Sequence, residues 1–439
     1  MLRIRSNPHF QAEKRYSFEM LLGTHLGLPW EVQWDDQITH YQIELPNGKV
    51  LEIEDHFWAK IESEEYLKPQ NLPQQSTTLP HPFQPGETLV VPFGRNHYLA
   101  RAQQITCGAD LFAAAFFMLS RWEEFVKPDR DQHGRFPAAA AWTVQQNYLH
   151  RPLVQEWAEL LRQMLRQLGF TTPPAPTSQL LLSHDVDHPR LWWKPQDKWR
   201  TLAGSLLKRR NIREFRWWLN HSSDDRDPFD TFQYLMTMAE AAGTKACFNF
   251  MGRRATNSDC YYLLDAPFVG QIIQHIQERG HEIGFHPSYE SVEQPELLKQ
   301  ELDSIAQISG TTPAGGRQHY LRFQAPETWE RWEQAGLKWD STLGFPEQPG
   351  FRCGTAIAFP VFNILKKQQL SLIEKPLLVM DVTLRQYLGL QPEAAIETIR
   401  TIKNQVRRYG GNFTLLWHNS SFNDFAWQGW ASVFEETIQ

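Results

Sequence analysis

Six short stretches put a histidine, an arginine or a carboxylate where an apolar, strand-like run ends. LLLSHDVD carries His184, Asp185 and Asp187; HEIGFHPS carries His286; AGGRQHYL carries Arg317 and His319. LKWDSTLG carries Asp340, LLVMDVTL carries Asp381, and FTLLWHNS carries His418 and Asn419. One such residue is an ordinary cap or a satisfied core group, since buried polar groups normally find partners. Several charges at strand termini are costly without a common partner, so the group points to one site. Two or three imidazoles plus a carboxylate suit Zn2+ or a similar first-row ion, with one position left for water. A second carboxylate can act as base on that water, and a further His can protonate a leaving group. Asp185 and Asp187 are separated by one residue, so in a strand both side chains leave on the same side.

Rigid elements must position these groups, and the pattern after residue 178 supplies them. With KACFNFMG, seven strand-like segments alternate with helix-period stretches at 232–242, 268–279, 296–308, 327–335 and 393–408. That alternation predicts an α/β parallel sheet with right-handed crossovers, closed into a (β/α) barrel whose strand C-termini hold the site. TTPPAPTS at 171–178 is a stiff Pro-rich linker. It separates a 179–439 barrel domain from a smaller α+β domain at 1–170. In the latter, YQIELPNGKVLEIE predicts a hairpin turning at Asn47-Gly48, and helices are expected over 110–125 and 154–168. Asp129, Asp131, His133 and Arg135 in PDRDQHGRF belong to a polar turn.

Composition narrows the function. The 439 residues are 41% hydrophobic and 21% charged, as in a folded globular protein. The net charge of -6 offers no surplus for a phosphate backbone, so nucleic acid is not expected as a partner. The longest apolar run, Leu111 to Leu119, is less than half the ~20 residues a spanning helix needs. No apolar signal segment follows the N-terminus and the four cysteines show no CxxC spacing, so a cytoplasmic protein with reduced thiols is expected. The 17 tryptophans serve core and interface more than sugar stacking; Trp192, Trp193, Trp199, Trp217 and Trp218 sit on helix-like stretches.

The stretch from about Gln179 to Phe434 resembles the polysaccharide deacetylases of the NodB-homology type. Those are distorted seven-stranded (β/α) barrels that remove acetyl groups from glycans with one bound metal. SHDVDHP is similar to their first motif, which implies Asp185 as general base and Asp187 as metal ligand. GHEIGFHPS is similar to the second, implying His286 as ligand. GRQHY is similar to the third, implying that Arg317 orients the base and that the Tyr320 backbone helps hold the oxyanion. WDSTLGF and LLWHN are similar to the fourth and fifth, implying Asp340 as support, His418 as acid and Trp417 against the substrate. The family's second metal histidine usually follows the first by four residues, and Glu290 occupies that position here. We take His319 from the neighbouring strand as the replacement, with Glu290 as ligand, or a site without metal, as the alternatives. His281 begins its strand and is structural. Asn419 stands where the family often has Asp, which bears on the pKa of His418. Residues 1–170 look like the uncharacterised domain accompanying some atypical bacterial members, which says nothing of their role.

The resemblance therefore implies one divalent ion, Zn2+ first, and an acetamide or acetyl ester on a carbohydrate as substrate. A small non-sugar amide is the alternative substrate, and a glycan-binding barrel without turnover is the alternative class.

Overall fold

The computed structural model describes residues 1–61, 65–221, 227–253, 259 and 262–439. Among the described residues the fold is mixed α/β, with sheets of six, nine and two strands. The chain divides into two compact units. One comprises Met1–Gln179, Arg322–Leu378 and Ile402–Phe413; the other comprises Leu180–Leu321, Val379–Thr401 and Thr414–Gln439.

In the first unit the six-stranded sheet runs Trp30–Trp34, Leu2–Ser6, His40–Glu44, Val50–Glu54, Gln104–Ala109, Gly94–Ala100. The expected hairpin forms, with His40 opposite Glu54 and Glu44 opposite Val50. Tyr41, Ile43, Leu51 and Ile53 all point inward at 0% exposure, the period-two pattern of a half-buried strand. The apolar stretch after Asp110 forms two helices, Leu111–Leu119 and Trp122–Val126, where one was expected. Asp110 caps the first, accepting from the Ala113 N–H at 3.0 Å. Arg121, at φ 54°, breaks the path between them. Every residue of Leu111–Leu119 is buried, so this run is core. The PDRDQHGRF segment is a turn: Asp131 accepts from the backbone of His133 and Arg135 and from the Arg135 side chain.

The strands that carry the second unit, Ser178–Val186 from Leu180 and Gly411–Leu416 from Thr414, lie in the order Val379–Met380, Gly411–Leu416, Ser178–Val186, Ala246–Phe250, Glu282–Phe285, Gly315–Gly316. Asn249 lies opposite Asp185 and Phe285 opposite Gly316, both in parallel register. Helices Phe232–Ala241, Pro267–Glu278 and Pro295–Ser309 fall where the periodicity places them. AGGRQHYL pairs only through its two glycines; a Cβ on Gly316 would stand 1.8 Å from the Phe285 carbonyl oxygen. The chain then turns at His319–Leu321, with Tyr320 at φ 60°.

The expected parallel α/β arrangement forms, within a sheet of nine strands rather than the seven of a distorted (β/α) barrel. The sheet's strand order is linear, ending at Phe359–Asn363 and at Val379–Met380. Phe359–Asn363 also pairs antiparallel with Gln368–Glu374. Only Ile364 to Lys367 joins those two strands, and a link that short makes a hairpin rather than a crossover. Among the described residues no helix is long and apolar enough to cross a membrane. Cys107, Cys247 and Cys353 are buried; Cys260 lies outside the described residues.

Candidate metal centre

The C-terminal ends of the parallel strands deliver the charged groups of the second unit to one place. Asp185 is the penultimate residue of Ser178–Val186, and Asp187 directly follows that strand. His286 directly follows Glu282–Phe285, and Asp381 directly follows Val379–Met380. His319 sits in the turn after Gly315–Gly316, and His418 lies two residues beyond Leu416. One ligand-type atom from each of Asp187, His286 and His319 falls within 4.8 Å of the others. Asp187 Oδ1 is 3.3 Å from His286 Nε2 and 3.7 Å from His319 Nε2.

That geometry fits a cation. Asp187 Oδ1 is buried and has no hydrogen-bond partner, although two ring nitrogens face it. Such an orphan is costly in a dry interior, and an ion between the three atoms would satisfy all of them. The outer contacts agree. His286 Nδ1 lies 2.7 Å from the Arg317 carbonyl, which accepts its proton and leaves Nε2 as the lone-pair nitrogen. His319 Nδ1 lies 3.5 Å from Asp259 Oδ1, a carboxylate behind the imidazole. Burial would raise Asp187, but His286, His319 and His418 facing it hold its carboxyl well below the usual range. Glu290 is exposed and outside this group.

Asp185 is held beside the three. Its Oδ1 accepts from Asn249 Nδ2 at 2.7 Å and from Arg317 Nη1 at 2.9 Å. The same Arg317 nitrogen donates to Ser183 Oγ at 3.0 Å. Cys247 Sγ donates to Asn249 Oδ1, which turns the amide so that its NH2 faces the carboxylate. Residue 284 must be glycine for this, because a Cβ there would stand 1.9 Å from Asn249 Oδ1. Burial raises Asp185, and Arg317, His286 and His418 more than offset it, so the carboxyl lies below its ordinary value.

His418 completes the cluster. Its Nδ1 donates to Asp381 Oδ1 at 2.8 Å and its N–H to Asp381 Oδ2 at 2.9 Å. Its Nε2 faces Asp187 Oδ2 at 3.7 Å. Burial depresses this imidazole, but Asp381, Asp187 and Asp185 outweigh it and push it up to about 10. Asn419 donates to the carbonyls of His188 and Phe229, tying two chain segments together. The carboxylate behind His418 thus comes from Asp381.

Two further expected site residues, Asp340 and Trp417, are fully buried. Asp340 falls in the first unit, where Thr342 donates to its Oδ1 and the neighbouring Glu374 is pushed well up by burial and by Asp340. Trp417 was expected against the substrate, but its side chain is 0% exposed and packs on Phe422, Trp430 and Phe434. It is core, and its carbonyl lies 2.6 Å from His184 Nδ1. Tyr320 is part-exposed beside His319, its ring 4.6 Å from that imidazole. His281 is buried at the other end of its strand, 3.2 Å from Glu240. Asn249 and Asp259 belong to the cluster's surroundings and were missed. Asn249 had a signal, a lone amide in the apolar run ACFNF; Asp259 had none.

Comparisons with known proteins give three findings. A family of unknown function, DUF7033, matches residues 2–170. A search of curated proteins finds no match. Among solved structures the chain is similar to a protein described as a polysaccharide deacetylase, from Mycobacterium smegmatis. That likeness has 18% identity and a TM-score of 0.39, over 61% of this chain and 85% of the other. It is also similar to a family 4 carbohydrate esterase from Streptomyces lividans, solved with acetate. There the identity is 12% and the TM-score 0.28, over 47% of this chain and 79% of the other.

Proposed function

We propose that the chain is a metal-dependent hydrolase that removes acetyl groups from an N-acetylated sugar or glycan. The observation that carries this reading is the buried, unbonded Asp187 Oδ1 facing His286 and His319. A restrained carboxylate and a carboxylate-backed imidazole flank it. The order of the five motifs along the chain supports the substrate class.

Asp187, His286 and His319 would hold one divalent ion, with Zn2+ the best match to two imidazoles and a carboxylate. Such an ion polarises the acetyl carbonyl and lowers the pKa of water. Asp185, kept ionised by Arg317, takes the proton of the attacking water on the oxygen that Arg317 and Asn249 leave. Arg317 and Asn249 also fix its direction. His418 enters the reaction protonated, because Asp381 stabilises the imidazolium, and gives its Nε2 proton to the departing amine as the C–N bond breaks. Acetate and a free amine are the products.

Acetate release from N-acetylated chito-oligosaccharides, with a divalent metal added, tests the reading. Wild type should release acetate, and Asp185→Asn should release it about 10²- to 10⁴-fold more slowly. Turnover of small cyclic amides alone would move the substrate class, and metal binding without hydrolysis would make the chain a glycan-binding protein.

A further inference from the structure

Between Arg190 and Arg216 the charge of the chain reverses. Nine basic and two acidic residues stand there, in a chain whose net charge is -6. Lys194, Arg200, Lys208, Arg210, Arg213 and Arg216 are all exposed. Asp224 and Asp225 follow, outside the described residues.

This segment leaves the strand Ser178–Val186 as two helices, Pro195–Ala203 and Ile212–His221, the first continuing into a π-helical turn at Gly204–Lys208. It has a small core of its own: Trp192, Leu202 and Trp218, with Leu191, Phe215 and Trp217 against them. Asp227 pins its base, accepting from the N–H of Leu191 at 2.9 Å and of Trp192 at 2.7 Å. With that core filled, other large apolar side chains remain outside. Trp199 is 73% exposed, Leu206 42%, Leu207 77%, Ile212 58% and Leu219 52%. Trp192, Trp193, Lys198 and Trp199 also line an open recess of about 540 Å3.

We infer that the segment from Lys194 to Leu219 docks on an anionic lipid bilayer surface. Exposed Trp and Leu interleaved with Lys and Arg are what an interfacial helix presents, the rings and aliphatic chains entering the acyl boundary while the cations meet headgroups. A nucleic acid would use the cations and gain nothing from Leu207 or Ile212. None of these residues belongs to the Asp185–His418 cluster, so the inference stands or falls apart from the acetyl-hydrolysis reading.

The test is co-sedimentation of the full chain with vesicles of phosphatidylglycerol and phosphatidylcholine, against pure phosphatidylcholine. Binding should need the anionic lipid and weaken as salt rises. Leu206→Glu/Leu207→Glu should abolish it with the circular dichroism unchanged, and Trp199→Ala should weaken it if that double variant fails to fold. Lys208→Gln/Arg210→Gln/Arg213→Gln should cost about 10²-fold in affinity for the anionic vesicles. Failure of wild type to bind anionic vesicles, or equal binding by the folded Leu206/Leu207 variant, overturns the inference. So does binding to duplex DNA without vesicle binding, or a dimer that Leu207→Glu dissociates with no vesicle binding.

Discussion

Two buried charge clusters, one in each unit, are built on opposite principles. In the first unit Glu124 accepts from Arg121 and Arg352 through both carboxylate oxygens, at 2.7 to 2.9 Å. The arginines spend further donors on the Met118 and Gly344 carbonyls. The carboxylate is driven down to about 2 despite its burial. In the second unit Asp187 Oδ1 has ring nitrogens at 3.3 and 3.7 Å and no hydrogen bond. A closed cluster is finished by folding and holds structure together. An open one is finished by something that binds, and that difference separates scaffold from site more sharply than charge count or burial.

The variants that sharpen this contrast begin with chemistry. Asp185→Asn keeps the shape of the open cluster and removes its base, so turnover should fall about 10²- to 10⁴-fold with metal content and melting temperature unchanged. Parallel measurements of acetate release, metal content and melting curve check it. In the closed cluster, Arg352→Met leaves Glu124 buried with half its donors. Breaking such a buried pair costs about 3–5 kcal/mol, which urea unfolding should show with metal content unaffected.

Two buried imidazoles give the next contrast, through pH. His25 in the first unit, bonded to the Met20 carbonyl and to Thr355, is held by burial at about 4. The unfolded chain takes up that proton first, so stability is full above about pH 6.5 and falls as pH drops through that window to about 4. At about 1.4 kcal/mol per unit the loss is about 3 kcal/mol, and His25→Gln should flatten that slope. His418, backed by Asp381, behaves oppositely in the metal-free chain. Its stabilisation is present below about 6.5 and lost as pH rises to about 10, a slope that His418→Ala should remove. The smallest effect belongs to exposed Glu290, where Glu290→Ala should shift stability by less than about 0.5 kcal/mol and leave metal binding intact.

The sequence makes legible whatever depends on local pattern. The hairpin about Asn47-Gly48 and the helices near 232–241, 267–278 and 295–309 follow from periodicity and turn residues. So does the gathering of His and Asp at strand ends, which placed Asp187, His286 and His319 in one group. Long-range pairing is what escapes. The antiparallel strands Phe359–Asn363 and Gln368–Glu374 look like any other apolar alternation until their short link is weighed. Asp381 was seen at its strand end, but that it backs His418 depends on which strand lies beside Gly411–Leu416. Trp417 shows the converse: the resemblance of LLWHN implies it against the substrate, and only burial reveals it as core.

Metal titration of the purified full chain tests the central claim most directly. Stripped protein should take up one divalent ion per chain, and Asp187→Ala should abolish that uptake while Glu290→Ala leaves it unchanged. No stoichiometric uptake by wild type, or a site emptied by Glu290→Ala and retained in Asp187→Ala, would contradict the assignment of Asp187, His286 and His319.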